Sequence, residues 1–286
     1  MVALLLCPPN FMLFMSNLKM KIFLNERPLE VDEGTSLYRL RDRFDPSADV
    51  LIVDGYPVTD DVILKEGNRV VLIKKGRMPS KEEFHALLTA RHTPGVHEKV
   101  KRATVGIAGL GGLGSMVAVA LARTGVGRLI LVDYDVVEPS NLNRQYYFID
   151  QIGMPKTEAL TETIKRINPV IDIEAHNIKI NKENVSTLFD GVDVMVEALD
   201  RAEEKAMLTE CFLKMFPGIP LVAASGLAGY GPANQIVTKA VMKGLYVCGD
   251  FESEAMPSQG LMAPRVGVCA HHQANAVLRL LLGQEP

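Results

Sequence analysis

The sequence predicts an α/β chain of two domains, a small β-rich unit followed by a larger one built around a mostly parallel sheet. At about 150 residues per domain, the 286 residues make one domain of ordinary size and a second, smaller one. Residues 20–76 alternate in the two-residue period of short strands around a single helical segment. From residue 103 the run ATVGIAGLGGLGSMVAVALARTGVGRLILVDYD reads strand, glycine turn, helix, strand and terminal acid, a βαβ unit. With 48% hydrophobic and 23% charged residues, the chain has enough apolar surface to offset its conformational entropy, so most of it folds. Lys plus Arg number 31 against 34 Asp plus Glu, a net charge of -3; no field attracts polyphosphate backbones, and no nucleic-acid partner is expected. Cys7, Cys211, Cys248 and Cys269 are far apart and form no C-x-x-C pair, so neither a disulfide framework nor a zinc site is expected, and a reducing cytoplasm fits best.

Residues 1–19, MVALLLCPPNFMLFMSNLK, are apolar but lack a basic leader, and Pro8, Pro9 and Asn10 break the run. The segment is too short to span a bilayer. Met15 and Met20 stand just before a well-patterned segment, as in upstream sequence translated from a mis-assigned start; a membrane or partner contact is the other reading. No other stretch reaches the ~18 continuous apolar residues of a spanning helix, so no membrane association is expected. MKIFLN then alternates, NERP offers a turn and PLEVDEG returns as a second strand. TSLYRLRDRF places Leu37, Leu40 and Phe44 at helical spacing behind a Thr35 or Ser36 cap. VLIVDGYPV carries a hairpin turn at Asp54-Gly55, and RVVLIKK ends the unit. The order β-β-α-β-β over residues 20–76 resembles the ubiquitin-like β-grasp fold and, in size and layout, the ThiS sulfur carriers. A working carrier of that kind ends in a free Gly-Gly. Here the last strand runs into KKGRMPSKEEF and continues, so this copy is not an acyl donor unless the chain is cut.

Residues 77–97 read as a helical linker, with Pro79 near its start and acids in its first turn. The second domain covers residues 98–286. Gly109, Gly111 and Gly114 match G-x-G-x-x-G directly after an apolar strand, which permits a tight turn, close approach to a phosphate and packing of helix on sheet. Asp133, about 20 residues further on, is placed to accept hydrogen bonds from a ribose. The fold class is α/β, a Rossmann-like nucleotide-binding domain behind a β-grasp (ubiquitin-like) module. The glycines do not say which nucleotide, and a nicotinamide-dependent oxidoreductase stays open at this point.

GLGGLGS, then VDYDVVEPSNLNRQ, then GMPKTEAL, three motifs in order, resemble the ThiF/MoeB/HesA family, bacterial relatives of the ubiquitin-activating enzymes, over residues 100 to 283. The resemblance implies an adenylyltransferase. It would use ATP and Mg to activate the C-terminal carboxylate of a ThiS-like carrier ending in Gly-Gly, in thiamine or related sulfur-transfer biosynthesis. Gly109, Gly111, Gly112, Gly114, Asp133 and Asp135 would then surround the nucleotide. Asn141 would hydrogen-bond phosphates or ribose, and Gln145 would extend the polar lining. Arg144 and Lys156 are the cations available to a carboxylate attacking an α-phosphate; the alternative is that both are solvated surface charges. Asp200 follows the apolar strand VDVMVEAL, where the family holds Mg with an oxygen ligand, and could equally cap the next helix. The family's usual polar run before that acid is replaced by Glu197-Ala198-Leu199.

Some relatives use reactive cysteines. Cys211 and Cys269 read as core thiols, while Cys248, beside a polar Gly-rich stretch, is the one candidate for reactivity. His271 and His272 are neighbours that point apart and show no ligand spacing. Relatives are commonly homodimers in which an arginine reaches the partner's ATP. Arg91 is the nearest match here, although ending the linker helix accounts for it equally well. IDIEAHNIKI and IPLVAASGLAG add strands, GPANQIVTKAV adds antiparallel ones, and APRVGVCAHHQANAVLRLLLG is the closing helix. A scaffold whose fused module holds an ATP domain inactive is a further reading.

Overall fold

The computed structural model describes residues 18–25, 27–92 and 95–286, and it divides into two compact units, residues 1–91 and 92–286. Residues 1–17 of the apolar extension lie outside the described residues.

In the first unit β1 (Lys19–Leu24) and β2 (Arg27–Asp32) precede α1 (Leu37–Phe44), followed by β3 (Val50–Val53), β4 (Tyr56–Val58), β5 (Arg69–Ile73) and α2 (Lys81–Arg91). The sheet order is β2-β1-β5-β3-β4, and only the central β1–β5 pair is parallel. VLIVDGYPV thus supplies two strands, so the unit is ββαβββ. Asp54 itself takes the left-handed conformation, φ 51°, that a two-residue hairpin requires. Ser36 caps α1, its hydroxyl accepting the Arg39 N–H at 3.3 Å. Leu37 and Leu40 enter a core with Met20, Ile22, Val70 and Leu72. Phe44, expected beside them, is exposed at the end of the helix, where Arg43 stacks on its ring. Alternate residues of the central strands, Ile52, Val71 and Ile73, face the other way and pack on Ala86 and Leu87 of α2. That helix opens with a reciprocal cap: Ser80 Oγ accepts the Glu83 N–H and Glu83 accepts the Ser80 N–H, at 3.2 and 2.8 Å.

The second unit runs α3 (Val96–Val100), β6 (Thr104–Ala108), α4 (Gly112–Thr124), β7 (Arg128–Asp133), α5 (Lys156–Ile167), β8 (Asp172–Asn177), α6 (Val185–Leu188) and β9 (Val194–Glu197), then α7 (Ala202–Met215), β10 (Leu221–Ala224), β11 (Val237–Met242), β12 (Leu245–Gly249) and α8 (Ala263–Leu281). Its seven strands lie in the order β11-β12-β10-β9-β6-β7-β8, parallel except for the antiparallel edge strand β11. The period of two along β7 explains why both faces carry helices. Leu129 and Leu131 join a core with Val117, Leu121, Leu160 and Val266, whereas Ile130 and Val132 join one with Phe189, Leu208 and Phe212. β6 stands between β9 and β7, so the strand order reverses beside it. In open α/β sheets ligands sit in the crevice outside the carboxyl ends of the strands at such a point. Among the described residues no helix is long and apolar enough to cross a membrane.

Candidate active site

A cavity of about 820 Å³ opens at those carboxyl ends, within the range of small-molecule sites. Its wall comes from the turns after β6 (Gly109, Gly111, Gly112), β7 (Asp133, Asp135), β9 (Asp200) and β10 (Ser225).

Two glycines of the turn are dictated by space. Gly109 has φ 85°, and a Cβ there would lie 2.6 Å from the Ala198 carbonyl oxygen. At Gly114 a Cβ would fall 1.8 Å from the Gly109 carbonyl oxygen, so the first turn of α4 packs directly on the loop before it. Gly111 is open: a Cβ there would lie 3.8 Å from Gln145 Nε2, an ordinary contact, and the residue caps α4 with no side-chain bond. The first N–H groups of α4 therefore have no side-chain cap, the arrangement that receives an anion. Asp133 and Tyr147 hold the turn from below: Asp133 accepts the N–H of Leu110 at 2.6 Å and of Asp135 at 2.8 Å, and the Tyr147 hydroxyl donates to the Leu110 carbonyl at 2.8 Å. Burial raises the Asp133 carboxyl above its ordinary range against these donors. Before any ribose, the acid thus serves the loop.

The long connection after β7 folds back on itself, with Val136 bridging Pro155 and the Val137 N–H bonding the Met154 carbonyl at 2.9 Å. The fold-back brings Lys156, at the start of α5, against Asp135, Nζ to Oδ2 2.8 Å. Lys156 is buried while the Asp135 side chain is half exposed. Arg144 also lines the cavity, its guanidinium held by neutral acceptors, Asn143 Oδ1 at 2.8 Å and the Ser140 carbonyl at 3.3 Å. Gln145 is buried on the same wall, and its side-chain oxygen has no hydrogen-bond partner. That oxygen is itself buried, and the amide nitrogen is the end that stands toward Gly111. Asn141 is placed differently from expectation. It lies outside the cavity wall, and its side-chain oxygen accepts the Glu138 N–H at 3.0 Å, closing the turn that carries Arg144.

Asp200 is exposed on the wall, and no hydrogen bond or ion pair holds its carboxylate among the described residues. It does not cap α7, whose N-cap is Arg201 with no side-chain bond. Lys205, Lys179 and Glu204 on the same wall escaped the sequence reading. Lys205 pairs with the fully buried Glu197, and Lys179 with Glu204 at 3.0 Å. The one signal for Lys205 was a lysine in the first turns of an otherwise acidic helix start. Arg91 is the exposed last residue of α2, outside the unit that holds the cavity. Among the described residues no three His, Cys, Asp or Glu side chains gather to hold a metal.

The reactivity of Cys248, open in the sequence, is decided by its burial. LYVCG is strand β12, and the thiol lies wholly inside the core, where burial pushes its pKa up to about 11 and the Thr238 hydroxyl only partly offsets this. Cys269 is pushed up to about 12, again by burial, and Cys211 is half-buried against the second core. At pH 7 a thiol of pKa near 11 is only about 10⁻⁴ thiolate, the nucleophilic form. Iodoacetamide is therefore expected to leave Cys248 and Cys269 unmodified in the native protein and to label both in guanidinium. Labelling of either peptide under native conditions would contradict the burial.

A family model described as ThiF family matches residues 86–286. This chain belongs to the ThiF family. A second model, ThiS-like ubiquitin, matches residues 20–76. The ubiquitin-like modifier-activating enzyme 5 of Caenorhabditis elegans is 32% identical over 183 residues, 58% of this chain and 44% of that protein. Its Xenopus laevis counterpart is 29% identical over 241 residues, 76% of this chain and 61% of that protein. The chain spans about half the length of the curated relatives it matches. Among solved structures, E. coli tRNA N6-threonylcarbamoyladenosine dehydratase in complex with ATP is 24% identical, with TM-score 0.63 over 71% of this chain and 96% of that one. E. coli MccB with AMPCPP and MccA is 25% identical, with TM-score 0.53 over 67% of this chain and 59% of that one.

Proposed function

We propose that this ThiF-family chain is an ATP-dependent adenylyltransferase that activates the C-terminal carboxylate of a separate ThiS-like carrier ending in Gly-Gly, in thiamine or related sulfur-transfer biosynthesis. The observation that carries the reading is the cavity itself, where a helix N-terminus without a side-chain cap, Arg144, Lys156 and the free Asp200 meet at the carboxyl ends of parallel strands. The similarity to ubiquitin-like modifier-activating enzymes supports a small β-grasp protein as the partner. The fused module does not take that part, because β5 continues by peptide bonds into α2.

In adenylation a carboxylate oxygen of the carrier bonds to the α-phosphorus. The bond from that phosphorus to the pyrophosphate oxygen breaks, and its electron pair leaves with pyrophosphate. Little covalent chemistry falls to the protein, which must position the two reactants and stabilise spreading negative charge. The N–H groups of α4 receive phosphate oxygens. Arg144 and Lys156 carry the charge, and Gln145 extends the polar lining of the wall. Asp200 fits Mg, a hard cation that takes one or two carboxylates together with substrate phosphates. Bound there, Mg would neutralise charge on the leaving pyrophosphate.

Pyrophosphate exchange with a panel of β-grasp proteins ending in Gly-Gly is expected to detect at least one activated carrier. Calorimetry is expected to register binding of ATP and none of NADH; the reverse pattern would turn the reading to an oxidoreductase. We infer also a homodimer, with Arg91 reaching the partner's nucleotide. Light scattering at the mass of a monomer would remove that part.

A further inference from the structure

Asp200 stands on the cavity wall without a partner, so its position depends on whatever holds the residue before it. We propose that Glu197 and Lys205 form a clamp on Leu199 that fixes where Asp200 projects, making Lys205 a positioning residue for the metal-binding carboxylate; the inference rests on the adenylyltransferase reading above. Glu197 ends β9 with its side chain 1% exposed, and its Oε1 accepts the Leu199 N–H at 2.7 Å. Lys205 Nζ donates to the same Oε1 at 2.9 Å and to the Leu199 carbonyl at 3.2 Å. Oε2 lies 2.7 Å from Nζ, so the charges meet, but it takes no aligned hydrogen bond. Both polar groups of Leu199 are therefore held, and the carbonyl belongs to the peptide unit that leads into Asp200.

A second anchor fixes the base of the clamp. The buried Gln273 of α8 donates its amide to the carbonyls of Glu197, at 3.0 Å, and Val222, at 3.2 Å. That bond pair ties the end of β9 to β10 where the regular ladder between them, last paired at Val222 and Val196, has stopped. Beyond Leu199 no side chain among the described residues holds the Asp200 carboxylate, and the N-cap of α7, Arg201, is tied only through its carbonyl, which accepts the Lys205 N–H at 2.9 Å. A buried ion pair is in general weak as a source of stability, because desolvation offsets the attraction. What this pair does supply is a fixed peptide plane at one point of the wall. A misplacement of about 1 Å at a reacting centre can cost around 10²-fold in rate.

The experiment uses the full chain with Lys205→Met, Lys205→Arg, the charge-neutral pair Glu197→Gln/Lys205→Met, Asp200→Ala and the double variant Asp200→Ala/Lys205→Met. Two readouts are taken: carrier-dependent pyrophosphate exchange, and hydrogen exchange of the ligand-free backbone over residues 198–202. Lys205→Met and the neutral pair are expected to speed hydrogen exchange in this segment and to lower the rate about 10- to 100-fold. Lys205→Arg is expected to restore most of both. In the Asp200→Ala background Lys205→Met is expected to change the rate less than about twofold, because a residue acting through Asp200 has no further effect once that carboxylate is gone. A full additional loss there would make Lys205 a direct phosphate ligand and overturn the proposal, as would unchanged hydrogen exchange over 198–202. If the wild-type chain shows neither ATP binding nor exchange with any carrier, the adenylyltransferase reading fails, and the hydrogen-exchange arm still decides whether the clamp holds Leu199.

Discussion

Replacing Arg144 or Lys156 by Ala is expected to lower carrier adenylation at least about 100-fold, the usual cost of removing one electrostatic group that acts on a transition state. Their surroundings make the two losses different. Arg144 is held only by neutral acceptors, so its whole charge is available to an anion in the cavity. Lys156 is already paired with Asp135, and deleting it leaves a carboxylate facing the phosphates. Two unit charges about 4 Å apart interact by about 4 kcal/mol at an effective dielectric near 20. The half-exposed Asp135 screens that figure downward. Lys156→Ala should therefore be the more damaging change, and adding Asp135→Asn to it should recover part of the rate. Circular dichroism should register a native fold in each variant, because neither side chain belongs to an apolar core cluster. Near wild-type adenylation by either alanine variant would reduce that residue to surface charge.

The parts of the cavity wall that are legible in the sequence are those whose physics is local. Gly109 and Gly114 follow a strand at fixed spacing because a left-handed turn and a helix packed on it leave no room for a Cβ, and the structure shows both constraints. Arg144, Gln145 and Lys156 fall on one connection between β7 and α5, so a motif in chain order brings them together. Asn141 belongs to the same motif but is consumed by the turn it closes, and composition does not separate a turn-closing amide from a ligand-binding one. The state of Cys248 stays open in the sequence because a polar Gly-rich stretch follows it. The apolar residues on its other side are strand β12, and tertiary burial decides the thiol's chemistry. The Leu199 clamp draws its anchor from Gln273, 76 residues from Glu197, a separation over which chain order carries no signal. In the small unit the helix and turns were legible. Phe44 was misplaced, because spacing alone does not say that a helix ends before its last apolar residue can turn inward.

Asp250→Ala is expected to destabilise the second unit by about 3–5 kcal/mol, the cost of leaving one member of a buried ion pair without its partner. Asp250 and Arg265 have side chains 9% and 5% exposed and meet at 2.6 Å, Oδ2 to Nη2. The same guanidinium donates to the carbonyls of Gly231 and Pro232, at 2.6 and 2.9 Å. The other carboxylate oxygen accepts the N–H groups of Glu252 and Ser253, at 2.9 and 2.8 Å. One pair thus fastens the two loops, after β10 and after β12, that contribute Ala228 and Ser253 to the cavity wall. Burial alone would raise the Asp250 carboxyl, but the Ser253 N–H and hydroxyl, the Glu252 N–H and Arg265 outweigh it and hold it well below the ordinary carboxylate range. A carboxyl depressed in the folded state adds stability above its unfolded pKa, about 3.9, and loses it as pH falls through the lower folded value. Urea denaturation should therefore find the gap between wild type and Asp250→Asn constant above about pH 5 and shrinking below about pH 4. Substituting Leu at 250 and Met at 265 together should recover only part of the loss. Apolar replacement can repair a buried pair, but it cannot replace the acceptor that closes the turn at Glu252 and Ser253. An Asp250→Ala protein within about 1 kcal/mol of wild type at pH 7, below the range for a broken buried pair, would mean that the loops hold themselves and the pair merely fills space between them.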